Sequence, residues 1–116
     1  MTLGRQFTLK KTTEFKEVIK NGKKLNSDSF IFYYLKSADQ SNSRFGFIIS
    51  KKVSNKASLR NRSKRAMSEA VRRIAFTIEN PVDCVFVAKS DIIKKYTSDL
   101  IHETESIFEK AKLVSK

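Results

Sequence analysis

The chain alternates between two hydrophobic periods, and each change of period marks an element. Residues 27–37 (SDSFIFYYLKS) alternate with period two and contain neither Gly nor Pro, which predicts a strand. Phe30, Phe32 and Tyr34 fall on one of its faces and Ile31, Tyr33 and Leu35 on the other, so both faces are apolar or aromatic. One face is expected to pack on helices and the other to form a partly exposed aromatic floor. Residues 44–52 (RFGFIISKK) predict a second strand, antiparallel to the first through a polar turn at 39–43. Residues 82–88 (VDCVFVA) form a nearly continuous apolar run, as expected of a central strand buried on both sides.

Helical period appears in three places. Residues 13–21 predict a short helix with Thr13 as N-cap, Glu14 and Glu17 near its start, Gly22 as its stop and Phe15, Val18 and Ile19 as its stripe. From Leu59 to Ala75 or Phe76, after an N-cap at Ser58, residues Leu59, Ser63, Ala66, Met67, Ala70, Val71 and Ile74 recur at three- and four-residue steps. Arg60, Asn61, Lys64, Arg65, Ser68 and Arg72 fall on the other side of that helix, and Asn80-Pro81 closes it. Residues 98–113 predict a last helix with Leu100, Ile101, Thr104, Ile107, Phe108 and Ala111 inward. The order is α-β-β-α-β-α. It defines an α+β chain, a small single-domain α/β sandwich on a mixed sheet, with strand–helix–strand over 44–88 as a βαβ crossover. Residues 1–116 read as one domain, with 1–11 a flexible N-terminal arm in which Phe7 and Leu9 are anchors and Arg5, Lys10 and Lys11 can reach phosphates.

Charge changes what this pattern means. The net charge is +12, with 24 Lys and Arg against 12 Asp and Glu. It is not spread evenly. Residues 50–73 alone carry +8 and residues 1–26 carry +5, while 27–49 are neutral and 74–116 carry −1. A helix with an apolar back and a guanidinium-rich front is anchored to a core and shows its charges to a polyphosphate. Catalytic chemistry is sparse by contrast. His102 lies in the acidic last helix with no metal-ligand spacing around it, and reads as a surface or packing histidine. Glu69, the single acid within 50–73, has Arg65, Arg72 and Arg73 at helical spacing as candidate partners. Cys84 lies in an apolar strand and reads as inert core; as a lone cysteine it also favours a reducing compartment. With no glycine-rich phosphate loop, no membrane-length apolar run and no signal peptide, the reading is a cytoplasmic binding component without catalytic groups of its own.

Two stretches are candidate contact surfaces. The basic helix offers the forks of Arg60, Arg62, Arg65, Arg72 and Arg73, extended by Ser50, Lys51 and Lys52. The amide of Asn61 serves either a nucleotide or the local backbone. The aromatic strand offers Tyr33, whose hydroxyl tolerates partial exposure, with Phe15 bordering the same groove; a lysine-flanked aromatic face can stack unpaired bases.

Ser50-Lys51-Lys52 followed by Arg60-Asn61-Arg62-x-Lys64-Arg65 resembles the RNR signature of the bacterial ribonuclease P protein subunit. The segments TEFKEVIKNGKK, FIFYYL and RFGFIISKK resemble the same family in the same order, over nearly the whole chain. The resemblance implies a small protein partner of a catalytic RNA that removes the 5′ leader of precursor tRNA. It implies Mg²⁺ held mainly by the RNA, no organic cofactor, ribonuclease P RNA and precursor tRNA as partners, no membrane and no obligate protein partner. It implies a left-handed βαβ crossover where the general rule gives a right-handed one. It also assigns Arg60, Asn61, Arg62, Lys64 and Arg65 to the catalytic RNA, with Arg72 further along the same helix. Phe15, Ile19, Tyr33, Ser50, Lys51, Lys52 and Lys89 are assigned to a cleft for the single-stranded leader. Ile19 stands where many members have a second Phe, and so offers apolar contact in place of stacking. Ser54 stands where a Gly is common. The competing readings are a ribosomal or RNA-assembly protein, a duplex-DNA regulator using the basic helix, and an autonomous nuclease.

Overall fold

The computed structural model describes residues 8–9, 11–36, 43–78 and 80–113. The element order is α1 (Thr12–Asn21), β1 (Lys23–Asn26), β2 (Phe30–Lys36), β3 (Arg44–Ile48), α2 (Ala57–Ile74), β4 (Val82–Ala88) and α3 (Thr97–Lys110). Short 3₁₀ turns at Ala75–Thr77 and Ser90–Lys94 follow α2 and β4. The α+β class and the mixed sheet agree with the sequence reading, with one strand more than expected. Most of the arm at 1–11 and of the turn at 39–43 lies outside the described residues.

The sheet order is β1-β2-β4-β3. β4 runs antiparallel to β2 and parallel to β3, which corrects the expected hairpin between the first and second predicted strands, 27–37 and 44–52. β4 separates them. It is the strand with a long apolar run on both faces, so the central place goes to the segment that loses most by facing water. β3 is also shorter than expected: it ends at Ile48, and residues 51–53 form a turn.

Alternation along β2 sorts its side chains as its sequence predicts. Phe30, Phe32 and Tyr34 join Phe45, Phe86, Met67, Val71, Leu100 and Phe108 in the main core, under α2 and α3. The Phe86 ring lies 5.0 Å from Phe32 and 5.2 Å from Phe30, the latter edge-on, within the range where aromatic pairs add to simple burial. On the other face, Leu9, Val18 and Val85 are buried with Phe15, Ile19, Tyr33, Leu35, Ile48 and Val87 packed around them. The layers are therefore α2 and α3, then sheet, then α1.

Helix ends differ from the expected caps. α1 begins at Thr12, and the Lys11 N–H donates to Glu14 Oε1 at 3.0 Å, so Glu14 reaching back does the work expected of Thr13. α2 begins at Ala57, placing Ser58 inside the helix; Lys56 precedes it with no side-chain cap. Gly22 does stop α1, at φ −82°. Its need for glycine is spatial, because a Cβ there would stand 2.4 Å from the Val18 carbonyl oxygen and 2.6 Å from that of Tyr34.

A candidate RNA interface on two faces

The cleft is built from rows of side chains that cross the sheet. Lys24, Tyr33, Val85 and Gly46 are successive partners across β1, β2, β4 and β3, and Asn26, Ile31, Val87 and Ile48 form the next row. α1 lies over the first row. Val18 is fully buried there, and the Phe15 ring sits so close above Gly46 that any Cβ would meet its Cε2 and Cζ at 2.4 Å. In the second row Asn26 is exposed and Ile31, Val87 and Ile48 are half-buried, which leaves an apolar floor beside α1. That floor is aliphatic, with Tyr33 beside it in the first row, whereas the sequence suggested an aromatic one. Phe15, Ile19 and Tyr33 are thus brought together as expected.

The rim of the floor is polar and basic. Ser50 lies two residues past the end of β3 and Lys89 one residue past the end of β4. Ser50, Lys51 and Lys52 are exposed in the turn after β3, where the Lys52 N–H donates to Ser50 Oγ at 3.3 Å and the Val53 N–H to the Ser50 carbonyl at 3.0 Å. Lys89 is held more firmly: its Nζ donates to the Ser27 carbonyl at 2.7 Å. Its charge therefore stands at a fixed place by the β1–β2 turn. That turn is fixed from behind by Glu103 of α3, whose carboxylate accepts from the Ser29 N–H at 2.8 Å, the Ser29 hydroxyl at 2.8 Å and the Ser27 hydroxyl.

Arg44 locks α1 to the sheet. Its guanidinium donates to both carboxylate oxygens of Asp83, at 3.1 and 3.0 Å, and to Glu14 of α1 at 2.8 Å. These two carboxylates raise the Arg44 pKa, the hydrogen bonds to Asp83 contributing most. The fork matches two acids on two elements, a geometry that a lysine cannot supply.

The second surface is the outer side of α2, which follows the 51–56 connection. Ser63, Met67, Ala70, Val71 and Ile74 are buried as predicted, and Ser68 is buried too, which corrects its assignment to the charged side. Asn61, Arg62, Lys64, Arg65 and Arg72 are exposed and Arg60 is half-buried. They are not equally free. Arg60 Nη1 donates to the Ser54 carbonyl at 2.8 Å, tying the connection to the helix. Arg62 donates to the Ile93 carbonyl. Arg72 and Arg73 both grip Glu69, at 2.8 and 3.0 Å, and the Arg72 guanidinium holds that carboxyl at about 2. Lys64 and Arg65 have no carboxylate partner among the described residues.

Sequence reasoning missed Arg44, Glu14, Asp83 and Glu103 as the groups that position the cleft, and Tyr96 beside α2. Arg44 reaches Glu14 and Asp83 across 30 and 39 positions, and Glu103 reaches Ser29 and Ser27 across 74 and 76, beyond any local signal. Tyr96 did carry one, as an aromatic residue directly after Lys94 and Lys95. His102 is exposed, 3.8 Å from Glu105, and Cys84 is fully buried, which pushes its thiol pKa well up. Among the described residues no group of three His, Cys, Asp or Glu side chains could hold a metal, and no helix is long and apolar enough to cross a membrane.

A three-layer α+β domain with a cationic helix on one side and a basic-rimmed apolar cleft on the other defines a nucleic-acid-binding class of protein. The comparisons narrow the class. The Ribonuclease P family model matches residues 3–112. A ribonuclease P protein component from Caldanaerobacter subterraneus is 36% identical over 105 residues, covering 90% of this chain and 89% of that one. One from Exiguobacterium is 33% identical over 112 residues, covering 97% and 96%. The solved RNase P protein of Staphylococcus aureus superposes with a TM-score of 0.84 at 25% identity, covering 94% of this chain and 98% of that one. That of Thermotoga maritima has the same fold, with a TM-score of 0.77 over 89% and 96% of the two chains at 22% identity. The chain belongs to the ribonuclease P protein family.

Proposed function

We propose that this chain is the non-catalytic subunit of ribonuclease P: it binds the enzyme's RNA through α2 and grips the 5′ leader of precursor tRNA in the cleft under α1. The observation that carries the reading is the separation of two surfaces of different chemistry. The exposed cations of α2, with Asn61, suit the dense phosphates of a folded RNA. The apolar floor of Ile31, Ile48 and Val87, bordered by Phe15, Ile19 and Tyr33 and rimmed by Ser50, Lys51, Lys52 and Lys89, suits a single strand, whose bases can leave the stack and lie on apolar side chains.

In this reading the RNA holds the Mg²⁺ and cleaves the phosphodiester. The protein's share is electrostatic. Two polyanions repel, and cations fixed between them lower the concentration of Mg²⁺ needed to bring them together. The protein works in the cytoplasm, where its free buried cysteine is compatible with reducing conditions.

The test is precursor-tRNA cleavage by a bacterial ribonuclease P RNA at low Mg²⁺, with and without the protein. The expected result is stimulated cleavage at the mature 5′ end. Tyr33→Ala should then weaken binding of precursor tRNA and leave mature tRNA unaffected, while Arg65→Ala should weaken binding to the catalytic RNA. Equal effects of Tyr33→Ala on both tRNAs would refute the cleft assignment. Firm RNA binding without stimulation by the cognate RNA would point instead to an RNA-assembly protein.

A further inference from the structure

Tyr96 is a large apolar ring left 77% exposed, one of two such side chains among the described residues. A single exposed aromatic needs no explanation. Its surroundings do. Tyr96 lines a cavity of about 370 Å³ between α2 and the start of α3, together with Arg62, Arg65, Ala66, Glu69, Lys95 and Thr97. Three cations and one aromatic face thus converge on a space far larger than an inorganic phosphate and within the range of small-ligand sites.

The walls are fixed. Arg62 is anchored to the Ile93 carbonyl, which ties α2 to the 3₁₀ turn before Tyr96. The Tyr96 N–H donates to Asp99 Oδ2 at 3.0 Å, which sets the backbone where the ring leaves it. The one carboxylate in the lining, Glu69, has its charge offset by Arg72 and Arg73. Arg65 and Lys95 have no carboxylate partner among the described residues. What remains on offer is an aromatic platform, two unclaimed cations and the outward donors of a third.

We propose that this cavity holds one unpaired nucleotide of the partner RNA, its base stacked on Tyr96 and its phosphates met by Arg62, Arg65 and Lys95. The inference rests on the reading that α2 faces RNA, and adds to it a contact that selects an extruded base rather than duplex backbone. A purely duplex ligand would use the cations and leave the ring idle. A stacked base uses both, and base–aromatic stacking is worth roughly 5- to 150-fold in affinity.

The experiment titrates a bacterial ribonuclease P RNA with the full chain, as wild type, Tyr96→Ala, Tyr96→Phe and Arg65→Ala, over a range of salt. Tyr96→Ala is expected to weaken binding by roughly 5- to 150-fold with an unchanged salt slope, and Tyr96→Phe to bind as wild type. Arg65→Ala is expected to flatten the slope by about one unit, as loss of a phosphate contact does. The chain contains no tryptophan, so Tyr96→Trp supplies a lone reporter. Its emission should be quenched by the folded RNA and not by a fully paired RNA duplex at saturation. Wild-type affinity in Tyr96→Ala, or indole emission that does not move while the RNA is bound, overturns the inference and leaves the proposed function standing. Failure of the wild type to bind the RNA at all overturns both.

Discussion

Gly46→Ala tests how the cleft is built, because the floor and α1 meet most closely at that residue. The added Cβ would stand 2.4 Å from two atoms of the Phe15 ring and 3.3 Å from Leu9 Cδ1. Ordinary contact begins about 1 Å further out, so the ring must leave its place. Overpacking of this kind costs about 1–3 kcal/mol. The lower half of that range applies, because Phe15 is only half-buried and can swing away on its own torsions. Against this stands a gain of about 0.5–1 kcal/mol, the usual benefit of replacing glycine by alanine within a strand. The expected net loss is about 1 kcal/mol in urea unfolding, close to 4 °C in Tm for a domain of this size. A double-mutant cycle makes the reasoning sharp. Where Phe15→Ala has already removed the ring, Gly46→Ala should be neutral or slightly stabilising, which gives a coupling of about 1–2 kcal/mol. Additivity within about 0.5 kcal/mol would refute the account, since the cost would then lie elsewhere than in the ring. The single variant should also lose affinity for precursor tRNA relative to mature tRNA, because the displaced Phe15 moves into the groove.

Three further outcomes follow from the ion pairs and hydrogen bonds that position the two surfaces. Arg44→Ala leaves the nearly buried Asp83 carboxylate without its guanidinium and releases Glu14, which should cost about 2–3 kcal/mol in denaturant unfolding; full recovery of stability by Arg44→Lys would contradict the two-acid fork. Glu103→Ala strips the fully buried Ser29 of its acceptor and should cost about 1–3 kcal/mol, with faster amide exchange in the β1–β2 turn as its local signature. Glu69 has its carboxyl lowered from 4.5 to about 2, so its contribution is present above pH 4.5 and is lost as pH falls toward 2. Acid unfolding of Glu69→Gln should therefore be less steep than wild type across that window, and an identical pH profile would count against the Arg72 and Arg73 contacts.

The parts of the fold legible in the sequence were those set by local period. Period two sorted Phe30, Phe32 and Tyr34 from Tyr33 and Leu35, and period 3.6 found the buried back of α2. Strand order was not legible. β2 and β3 are both apolar on both faces, so either could pair with the other or with β4, and proximity in sequence suggested the wrong choice. What sets β4 apart is burial, with Val82 to Phe86 all buried against two residues each in β2 and β3, and that follows from tertiary packing that no single window contains. β1 escaped because KKLN presents one apolar residue and three polar ones, a pattern that looks like the tail of a helix. The candidate site divided in the same way. The cations and Tyr33 could be named from the string, but which cations are already committed could not, since Arg60, Arg62 and Lys89 are held by carbonyls 6, 31 and 62 positions away.

These commitments also bear on how a chain with 12 acids can present a surface to RNA. Acids near a phosphate-binding face repel the ligand unless something offsets them. Here four of them are used from within. Glu14 and Asp83 share Arg44, Glu69 is shared by Arg72 and Arg73, and Glu103 is turned onto Ser27 and Ser29. Each also holds a wall of the candidate surfaces in place: α1 over the cleft, the end of α2, or the turn beside Lys89. The carboxylates that would weaken the field are thus the groups that shape it, and Lys51, Lys52, Lys64 and Arg65 are left to face solvent. An acid removed to strengthen RNA binding should, by this logic, weaken it. Glu14→Gln raises the net charge and yet loosens α1, so precursor affinity should fall even at low salt, where added positive charge ought to help most. A rise in affinity at low salt would show that charge alone, and not the posture of α1, governs the cleft.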